Sequence, residues 1–379
     1  MDQLEFEPIA RTDWTALAAR LGAGFAARAE ELDATDSFAA ENAAELKAHR
    51  FYAAGVPAEL GGGDAAIPEL CAMLRVMARH CPATALALAM HTHNVAAAAW
   101  RWRQQNAPTD GLLRRVAAEQ TVLISTGGND WLDSSGTATK VDGGYRIDAR
   151  KPFSSGQPVG DLINTSAVLN DPAEGPQVLH FMVPVSAAGV RIRETWKTLG
   201  MRASGSNDIL LEGVFVPDAA IGARRPKGVW NPLFHTVAMV AFPLVYSVYL
   251  GVAEAARDLA IKGVPDHARR DPLVQTAAGT MDTTLATARM AVADMIAAAA
   301  GQPGPETTNR VFIGRQIAGT AAVRTVEQAM ELAGGRAFFR AAGLERLFRD
   351  VQAARYNPLK AADQQLLAGR LALGVPIDG

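Results

Sequence analysis

The sequence predicts an α+β protein in which an N-terminal α-helical domain, a central β-barrel or sandwich and a C-terminal four-helix bundle follow one another. Helical spacing of apolar residues runs through the first part of the chain, and short β-rich runs replace it near residue 120. Long helical runs return near residue 230. We therefore expect three domains, covering residues 1–119, 120–222 and 223–379.

Apolar residues of the first domain recur at the three- and four-residue spacing of helices. The segments with this spacing are residues 14–32, 39–49, 67–79 and 83–103. Stretches that contain glycine and proline separate them, notably residues 55–57 and 61–63. This part is therefore expected to be all helical.

The middle of the chain contains short runs of β-branched and apolar residues, separated by Gly, Asp, Asn and Pro. These runs are residues 121–125, 136–141, 145–149, 162–169, 177–184, 190–194 and 209–216. Asp142 and the two glycines after it stand between two of the runs and predict a hairpin. Frequent short strands with close turns favour a barrel or a sandwich.

The last part of the chain is again helical by the spacing of its apolar residues. The helical runs are residues 232–262, 272–300, 307–333 and 363–373. Residues 301–305, rich in glycine and proline, form a loop between two of them. Long runs joined by short loops are typical of a helical bundle.

Composition excludes several classes of protein. The net charge is -2 over 379 residues and no Lys/Arg cluster stands out, so we expect no nucleic-acid partner. Cys71 and Cys81 lack the spacing of a metal or redox motif and are expected to be buried reduced thiols, with no metal site.

The sequence also argues against a membrane protein. Acidic residues stand near the N-terminus where a signal peptide has a basic region. Residues 237–252 come nearest to a membrane span, but they hold Pro243 and two tyrosines and fit a buried helix better. We expect a cytoplasmic protein that does not bind membranes.

Residues 199–222 are the most distinctive stretch. Gly200 and Arg202 open it, small polar residues 204–207 follow, and a strand-like run ends at Pro217, which cannot donate to a ladder. This order resembles a signature of the acyl-CoA dehydrogenase superfamily. The resemblance implies that superfamily's helical domain, β-domain and bundle, in a divergent branch with a monooxygenase-like C-terminal domain. It also implies a flavin cofactor: FAD, with FMN as the alternative.

Residues 138–156 resemble a second segment of the same superfamily, two strands and a hairpin followed by an aromatic residue and a Ser-Gly turn. The resemblance places Phe153 and Ser155 against the flavin ring. The chemistry suits these types, because the ring needs a flat apolar neighbour and donors for its polar edge. From the residues alone, a core position for Phe153 and a Ser-Gly turn for Ser155 are the favoured interpretation.

Two further segments carry cofactor candidates by resemblance. The strand before this motif lies where relatives meet the flavin pyrimidine, and its nearest matches are Ser125, Thr126, Gly127 and Asn129. The C-terminal Gly-Gly segment, which in relatives reaches a dinucleotide across a subunit interface, adds Gly334, Gly335 and Arg336. Glu331 stands where a glutamine is usual in relatives. Arg349 and Asp350 are expected to form a structural ion pair.

Two residues complete the catalytic candidates together with Ser155. His91 lies late in the first domain, where monooxygenase-like relatives place a proton-handling histidine, although a satisfied core histidine is the commoner case. Tyr356 occupies a loop where such relatives often carry a histidine before a proline, and a packing role for it is equally open.

The carboxylate base of the superfamily is missing. Dehydrogenation of an acyl thioester removes an acidic proton and needs such a base. Residues 351–360 and 234–251, where relatives supply it, contain no acid. Glu254 lies about one helical turn beyond the second stretch and is expected to be a solvated partner of charged neighbours near Arg257.

We therefore expect a flavin-dependent oxidoreductase that oxidises a CH–CH bond of an acyl thioester or a related small substrate. One alternative is a two-component, reduced-flavin-dependent monooxygenase, which the missing base favours. Another is a flavin-poor paralogue without activity. The resemblance implies a small-molecule substrate such as an acyl-CoA, a flavin reductase or electron-transfer flavoprotein as redox partner, and a homodimer or homotetramer.

Overall fold

The structure, a computed structural model, describes residues 12–128 and 130–378, and its first part is helical. The helices are α1 (Trp14–Ala34), α2 (Ala40–Ala48), α3 (Ile67–Ala78), α4 (Pro82–Gln105) and α5 (Asp110–Glu119). The Asp13 side chain accepts the Ala16 N–H and caps α1, as short polar side chains do at helix starts. The four helical segments expected from the sequence are present. The fifth helix, α5, was not expected.

The central part is one mixed sheet. Its strands are β1 (Leu123–Ser125), β2 (Thr137–Val141), β3 (Gly144–Lys151), β4 (Leu162–Asp171), β5 (Gly175–Pro184), β6 (Val190–Arg193), β7 (Asp208–Pro217) and β8 (Ile221–Pro226). Their order in space is β6-β7-β3-β2-β4-β5-β8. The strand β1 also pairs with β4 in parallel, at the start of β4, whereas β2 pairs near its end. The sheet extends to Pro226, four residues beyond the expected boundary at 222.

The expected hairpin is present. Val141 pairs with Gly144, which leaves Asp142 and Gly143 as a two-residue turn between β2 and β3. Gly143 has φ +70°, the left-handed conformation that such turns require and that glycine adopts without strain.

The last part is a helical bundle. Its helices are α6 (Leu233–Lys262), α7 (Pro272–Ala298), α8 (Pro305–Ala333), α9 (Leu344–Val351) and α10 (Ala361–Ala372). The helix α6 is long and apolar enough to cross a membrane, yet 94% of its most apolar window is buried inside the protein. It is therefore the core helix of the fold, as the sequence indicated.

The helix α6 also packs against the first domain. A Cβ added at Gly251 would lie 2.3 Å from the Arg75 carbonyl oxygen of α3, so only glycine permits this close approach. Both helical parts therefore share one core, and the sheet packs beside it through α4 and β1.

Candidate active site

One face of α4 contacts the segments that carry the candidate residues. Asn94 lies on this face and accepts a hydrogen bond from Asn164 of β4 at 2.8 Å. A Cβ added at Gly156, just after β3, would lie 3.7 Å from Ala87 of the same helix. The second turn of α4 therefore packs against the turn that holds Phe153 and Ser155.

His91 lies between these two contacts and its ring is fully used by backbone groups. Nδ1 accepts the Leu123 N–H at 2.9 Å, so Nε2 carries the proton and donates to the Tyr52 carbonyl oxygen at 2.8 Å. Burial lowers its pKa to about 4, so the ring is neutral. Both ring nitrogens therefore bind backbone groups, and this geometry argues against the proton-handling role, which stays a prediction. What the contacts show is that His91 positions β1.

The outer edge of β1 offers backbone donors. The Thr126 N–H donates to the Asn164 carbonyl oxygen at 3.2 Å, so the alternation of the strand points the Ser125 N–H away from β4. That is the side on which His91 binds Leu123. Ser125, Thr126 and Gly127 are all half-buried. Asn129, the fourth candidate here, lies outside the described residues.

At the end of this edge, Gly127 lets the Asp130 carboxylate pack against the backbone. Its φ is +75°, and a Cβ added there would lie 2.7 Å from the Asp130 carboxylate. A Cβ added at Gly128 would lie 3.7 Å from Pro358, so the end of β1 adjoins the loop that carries Tyr356. The structure thus brings two of the predicted segments together.

Phe153 presents a flat ring at the surface. Its side chain is 67% exposed, and its ring meets Trp196 edge-on at 5.8 Å. Its φ of +59° is unusual for a bulky residue and is strained. A strained backbone that holds an aromatic ring in the open is typical of a binding site.

Ser155, two residues on, is buried and belongs to a chain of hydroxyls. Its Oγ lies 2.7 Å from Ser206 Oγ, which in turn lies 2.6 Å from Ser204 Oγ. The last two serines come from the turn of residues 199–207, so the two motifs that the sequence singled out meet here. Ser155 was predicted at the site from its motif, whereas no role was predicted for Ser204 and Ser206.

Two buried cations hold the loop after β1, and sequence reasoning missed both. Lys151 is 1% exposed and its Nζ binds Asp130 at 3.1 Å and the Ser135 carbonyl oxygen at 2.7 Å. Arg225 of β8 is 2% exposed and donates to three carbonyl oxygens of the same loop. The lysine precedes the Phe-Ser-Ser motif and could have been noticed, whereas no sequence signal marked Arg225.

Aromatic side chains pack against one another beside this loop. Trp131 stacks on Trp230 with 5.6 Å between ring centroids and 3° between planes. Phe242 of α6 and Phe312 of α8 close the same cluster. The loop after β1 is therefore anchored in the bundle as well as in the sheet.

The loop after α9 carries Tyr356, which is 69% exposed. Tyr246 donates to the Ala354 carbonyl oxygen at 3.1 Å, and Asn357 donates to Tyr249 Oη at 3.2 Å. The Asn357–Pro358 bond is cis. Both tyrosines belong to α6, so the core helix sets the position of this loop.

The turn of residues 199–207 is fixed against α9. A Cβ added at Gly200 would lie 2.3 Å from the Arg349 carbonyl oxygen, and the Met201 N–H donates to Asp350. Arg349 pairs with Asp33 of α1 and with Glu345. The expected ion pair between Arg349 and Asp350 is therefore wrong, because each side chain has a different partner.

Burial raises the pKa of Asp350 to about 6. Between its ordinary pKa and this value the folded chain holds a proton that the unfolded chain has released, so stability falls as pH rises through this window. Between pH 5 and pH 7.5, we expect the free energy of unfolding to fall by about 1–2 kcal/mol less in Asp350→Asn than in the wild type. Urea unfolding of both proteins at the two pH values measures the difference. Parallel pH profiles would contradict the assignment.

Glu254 is buried rather than solvated, which corrects the expectation. It is 2% exposed and binds Arg75 of α3 and Arg289 of α7, each with an N–O distance of 2.8 Å. Burial raises its pKa, but the two arginines outweigh burial and the pKa lies below its ordinary value. A carboxylate held in this way is a structural bridge between helices and not a free base.

The Gly-Gly segment lies at the end of α8. Gly334, Gly335 and Arg336 are exposed. The Arg336 guanidinium packs against Gly263, and a Cβ added at Gly263 would lie 2.8 Å from it. Its neighbour Glu331 pairs with Arg324 at 3.0 Å. These contacts are all within the bundle, so a role at the cofactor stays a prediction for an assembled oligomer.

The site's chemistry suits a flavin ring. Phe153 offers a flat apolar surface, and the Ser125 N–H and the Ser155 hydroxyl offer donors for a polar edge. Among residues 12–128 and 130–378, no group of three or more His, Cys, Asp or Glu side chains is placed to hold a metal ion.

Family models match both helical parts of the chain. The model described as "Acyl-CoA dehydrogenase, N-terminal domain" matches residues 17–106. The model described as "Acyl-CoA dehydrogenase, C-terminal domain" matches residues 245–358.

Curated relatives and solved structures agree with these matches. The chain is 28% identical to the putative acyl-CoA dehydrogenase YdbM of Bacillus subtilis, over 91% of this chain and 92% of that protein. It is 28% identical to indole-3-acetate monooxygenase of Pseudomonas putida, over 56% of this chain and 58% of that protein. A structure of KijD3 in complex with FMN and a dTDP-linked amino sugar superposes with TM-score 0.85 at 26% identity, covering 99% of this chain and 97% of that chain.

Proposed function

Because this chain belongs to the acyl-CoA dehydrogenase superfamily, in a divergent branch, and is a flavin-dependent oxidoreductase, we propose that it is a monooxygenase that uses reduced FMN or FAD. The observation that carries the proposal is the lack of a free carboxylate where the superfamily supplies its base. Glu254 is bound by two arginines, and residues 351–360 present a tyrosine and an asparagine instead.

The relatives support this choice over acyl-CoA oxidation. One is named a monooxygenase, and the KijD3 structure contains FMN. The name of YdbM and the two family models favour dehydrogenation of an acyl-CoA as the second candidate. The missing base favours the monooxygenase, because removal of the acidic α-proton of a thioester requires a base.

In this proposal each residue of the site has its own role in binding the flavin, binding the substrate or excluding water. Reduced flavin, when bound, supplies the two electrons with which one atom of O₂ enters the substrate and the other leaves as water. Phe153 contacts the ring, while Ser155 and the Ser125 N–H donate to its polar edge. The Tyr356 hydroxyl donates a hydrogen bond to the substrate. The cluster around Trp131 excludes water from the inner wall of the site.

Two measurements test the proposal. Protein loaded with oxidised FMN or FAD is mixed without oxygen with acyl-CoAs of several chain lengths, and we expect its visible absorption to persist. FMN, a flavin reductase, NADH as its electron donor and ¹⁸O₂ are then supplied with a panel of aromatic and amino compounds. We expect a product that carries one ¹⁸O atom. Bleaching by an acyl-CoA would overturn the proposal in favour of dehydrogenation.

A single substitution tests the flavin site itself. We expect Ser155→Ala to weaken the binding of FMN by about 10-fold, because it removes one donor worth about 1.4 kcal/mol. Fluorescence titration measures the affinity, and circular dichroism checks that the variant is folded. Unchanged affinity would remove Ser155 from the site.

The non-catalytic alternative and the oligomeric state have their own tests. A wild-type protein that binds neither FMN nor FAD would favour the flavin-poor paralogue. We propose that the protein is cytoplasmic. We also propose that it is a homodimer or homotetramer, because α7 and α8 form an open groove whose apolar side chains Met290, Ile313 and Ile317 are exposed. Sedimentation velocity at micromolar concentration would show a monomer if this is wrong.

A further inference from the structure

Three serines at the candidate site form a continuous chain of hydroxyl groups. Ser155 Oγ lies 2.7 Å from Ser206 Oγ, and Ser206 Oγ lies 2.6 Å from Ser204 Oγ. Ser204 is 0% exposed, Ser206 is 1% exposed and Ser155 is 7% exposed. The chain therefore begins in the core and ends at the residue nearest the surface.

The number of protons exceeds the number of contacts. Three hydroxyls carry three protons, and the two O–O contacts use two of them. One O–H must point elsewhere. If it belonged to Ser204 or Ser206, a buried donor would be left without an acceptor, which is costly.

The favoured direction of donation is therefore from Ser204 to Ser206 and from Ser206 to Ser155. In that arrangement both inner donors are satisfied, and the Ser155 oxygen accepts one hydrogen bond while its own proton is free. A hydroxyl that already accepts a hydrogen bond is also a stronger donor.

We propose that Ser204 and Ser206 are positioning residues that fix Ser155 as a hydrogen-bond donor to the polar edge of the bound flavin. The proposal rests on the proposed function, because it needs a flavin at this site. It adds that the ligand atom opposite Ser155 is an acceptor, since the chain of serines leaves the Ser155 proton without an acceptor of its own.

The neighbouring Ser154 provides a matched control. It is 0% exposed, and its hydroxyl donates to the Lys151 carbonyl oxygen at 3.1 Å, outside the chain of serines. Ser154→Ala therefore removes a buried hydroxyl and one hydrogen bond without touching Ser155. A merely structural effect of losing a buried serine would be the same in Ser154→Ala and in Ser206→Ala.

The experiment titrates FMN into the full-length wild type and into S155A, S206A, S204A, S154A and the double variant S155A/S206A. We expect S206A to weaken FMN binding by about 2- to 12-fold, the factor for one hydrogen bond. It should also shift the visible absorption bands of the bound FMN. S204A is expected to act in the same direction, and S154A is expected to leave both readouts at the wild-type values. The double variant should bind no more weakly than S155A alone, because both changes act through one donor.

The outcomes separate the two levels of the proposal. If the wild type binds FMN and S206A behaves like S154A, or if the losses in S155A and S206A add, the positioning role is overturned and the proposed function stands. If the wild type binds neither FMN nor FAD, both the positioning role and the proposed function are overturned. Melting temperatures of S206A and S154A are compared first, and S204A replaces S206A in the comparison if S206A does not fold.

Discussion

Replacing His91 by alanine is expected to lower the free energy of unfolding by about 3–5 kcal/mol. The ring is 1% exposed and joins the Tyr52 carbonyl oxygen to the Leu123 N–H, so its loss leaves both backbone groups without a partner and opens a cavity. Urea unfolding measures the loss. Because His91 holds β1, the binding of FMN should weaken as well.

His93 is the matched control, two residues along the same helix. It is also buried, but its Nδ1 only donates to the Ala89 carbonyl oxygen of its own helix at 3.2 Å. We expect His93→Ala to cost clearly less than His91→Ala, since it leaves no group of another element unpaired. If both variants are equally stable and only His91→Ala abolishes turnover, His91 has the catalytic role that its surroundings argue against.

Sequence periodicity sufficed for the long elements of this fold. A helix that buries one face has apolar residues three or four positions apart, and a strand that buries one face has them at every second position. The Asp142–Gly143 pair is itself typical of a hairpin turn. Three elements were not expected, α5, α9 and β8. The helix α9 has only eight residues, too few for its spacing to stand out in the sequence. The helix α5 begins with Asp-Gly, which is typical of a turn, and β8 contains two arginines and ends in proline.

The candidate site was predictable only where its residues share a motif. Phe153 and Ser155 are two positions apart, so a single motif contains both residues and predicts their role together. His91 is different, because its partners lie 39 and 32 residues away and nothing in the sequence says that both ring nitrogens find backbone groups. Glu254 was misjudged for the same reason, since Arg75 lies 179 residues away on α3.

Replacing Arg315 by alanine is expected to cost about 3–5 kcal/mol of stability and to free the loop that carries Tyr356. Arg315 is 2% exposed on α8, and its guanidinium stacks over Tyr246 at 5.6 Å. It donates to the carbonyl oxygens of Ala354, Arg355, Pro358 and Leu359. One side chain therefore binds four backbone groups of the loop. Urea unfolding measures the cost, and limited proteolysis measures the freedom of the loop.

Arg355 on the same loop separates this effect from a general loss of charge. Its side chain is 51% exposed and lies 3.6 Å from Glu327, so Arg355→Ala should cost less than about 1 kcal/mol. Arg315→Lys should recover only part of the loss, because an ammonium cannot reproduce the planar fork of donors. If the loop stays protected from protease in Arg315→Ala, the two α6 tyrosines alone hold Tyr356 in place. The guanidinium would then stabilise α8 and not the site.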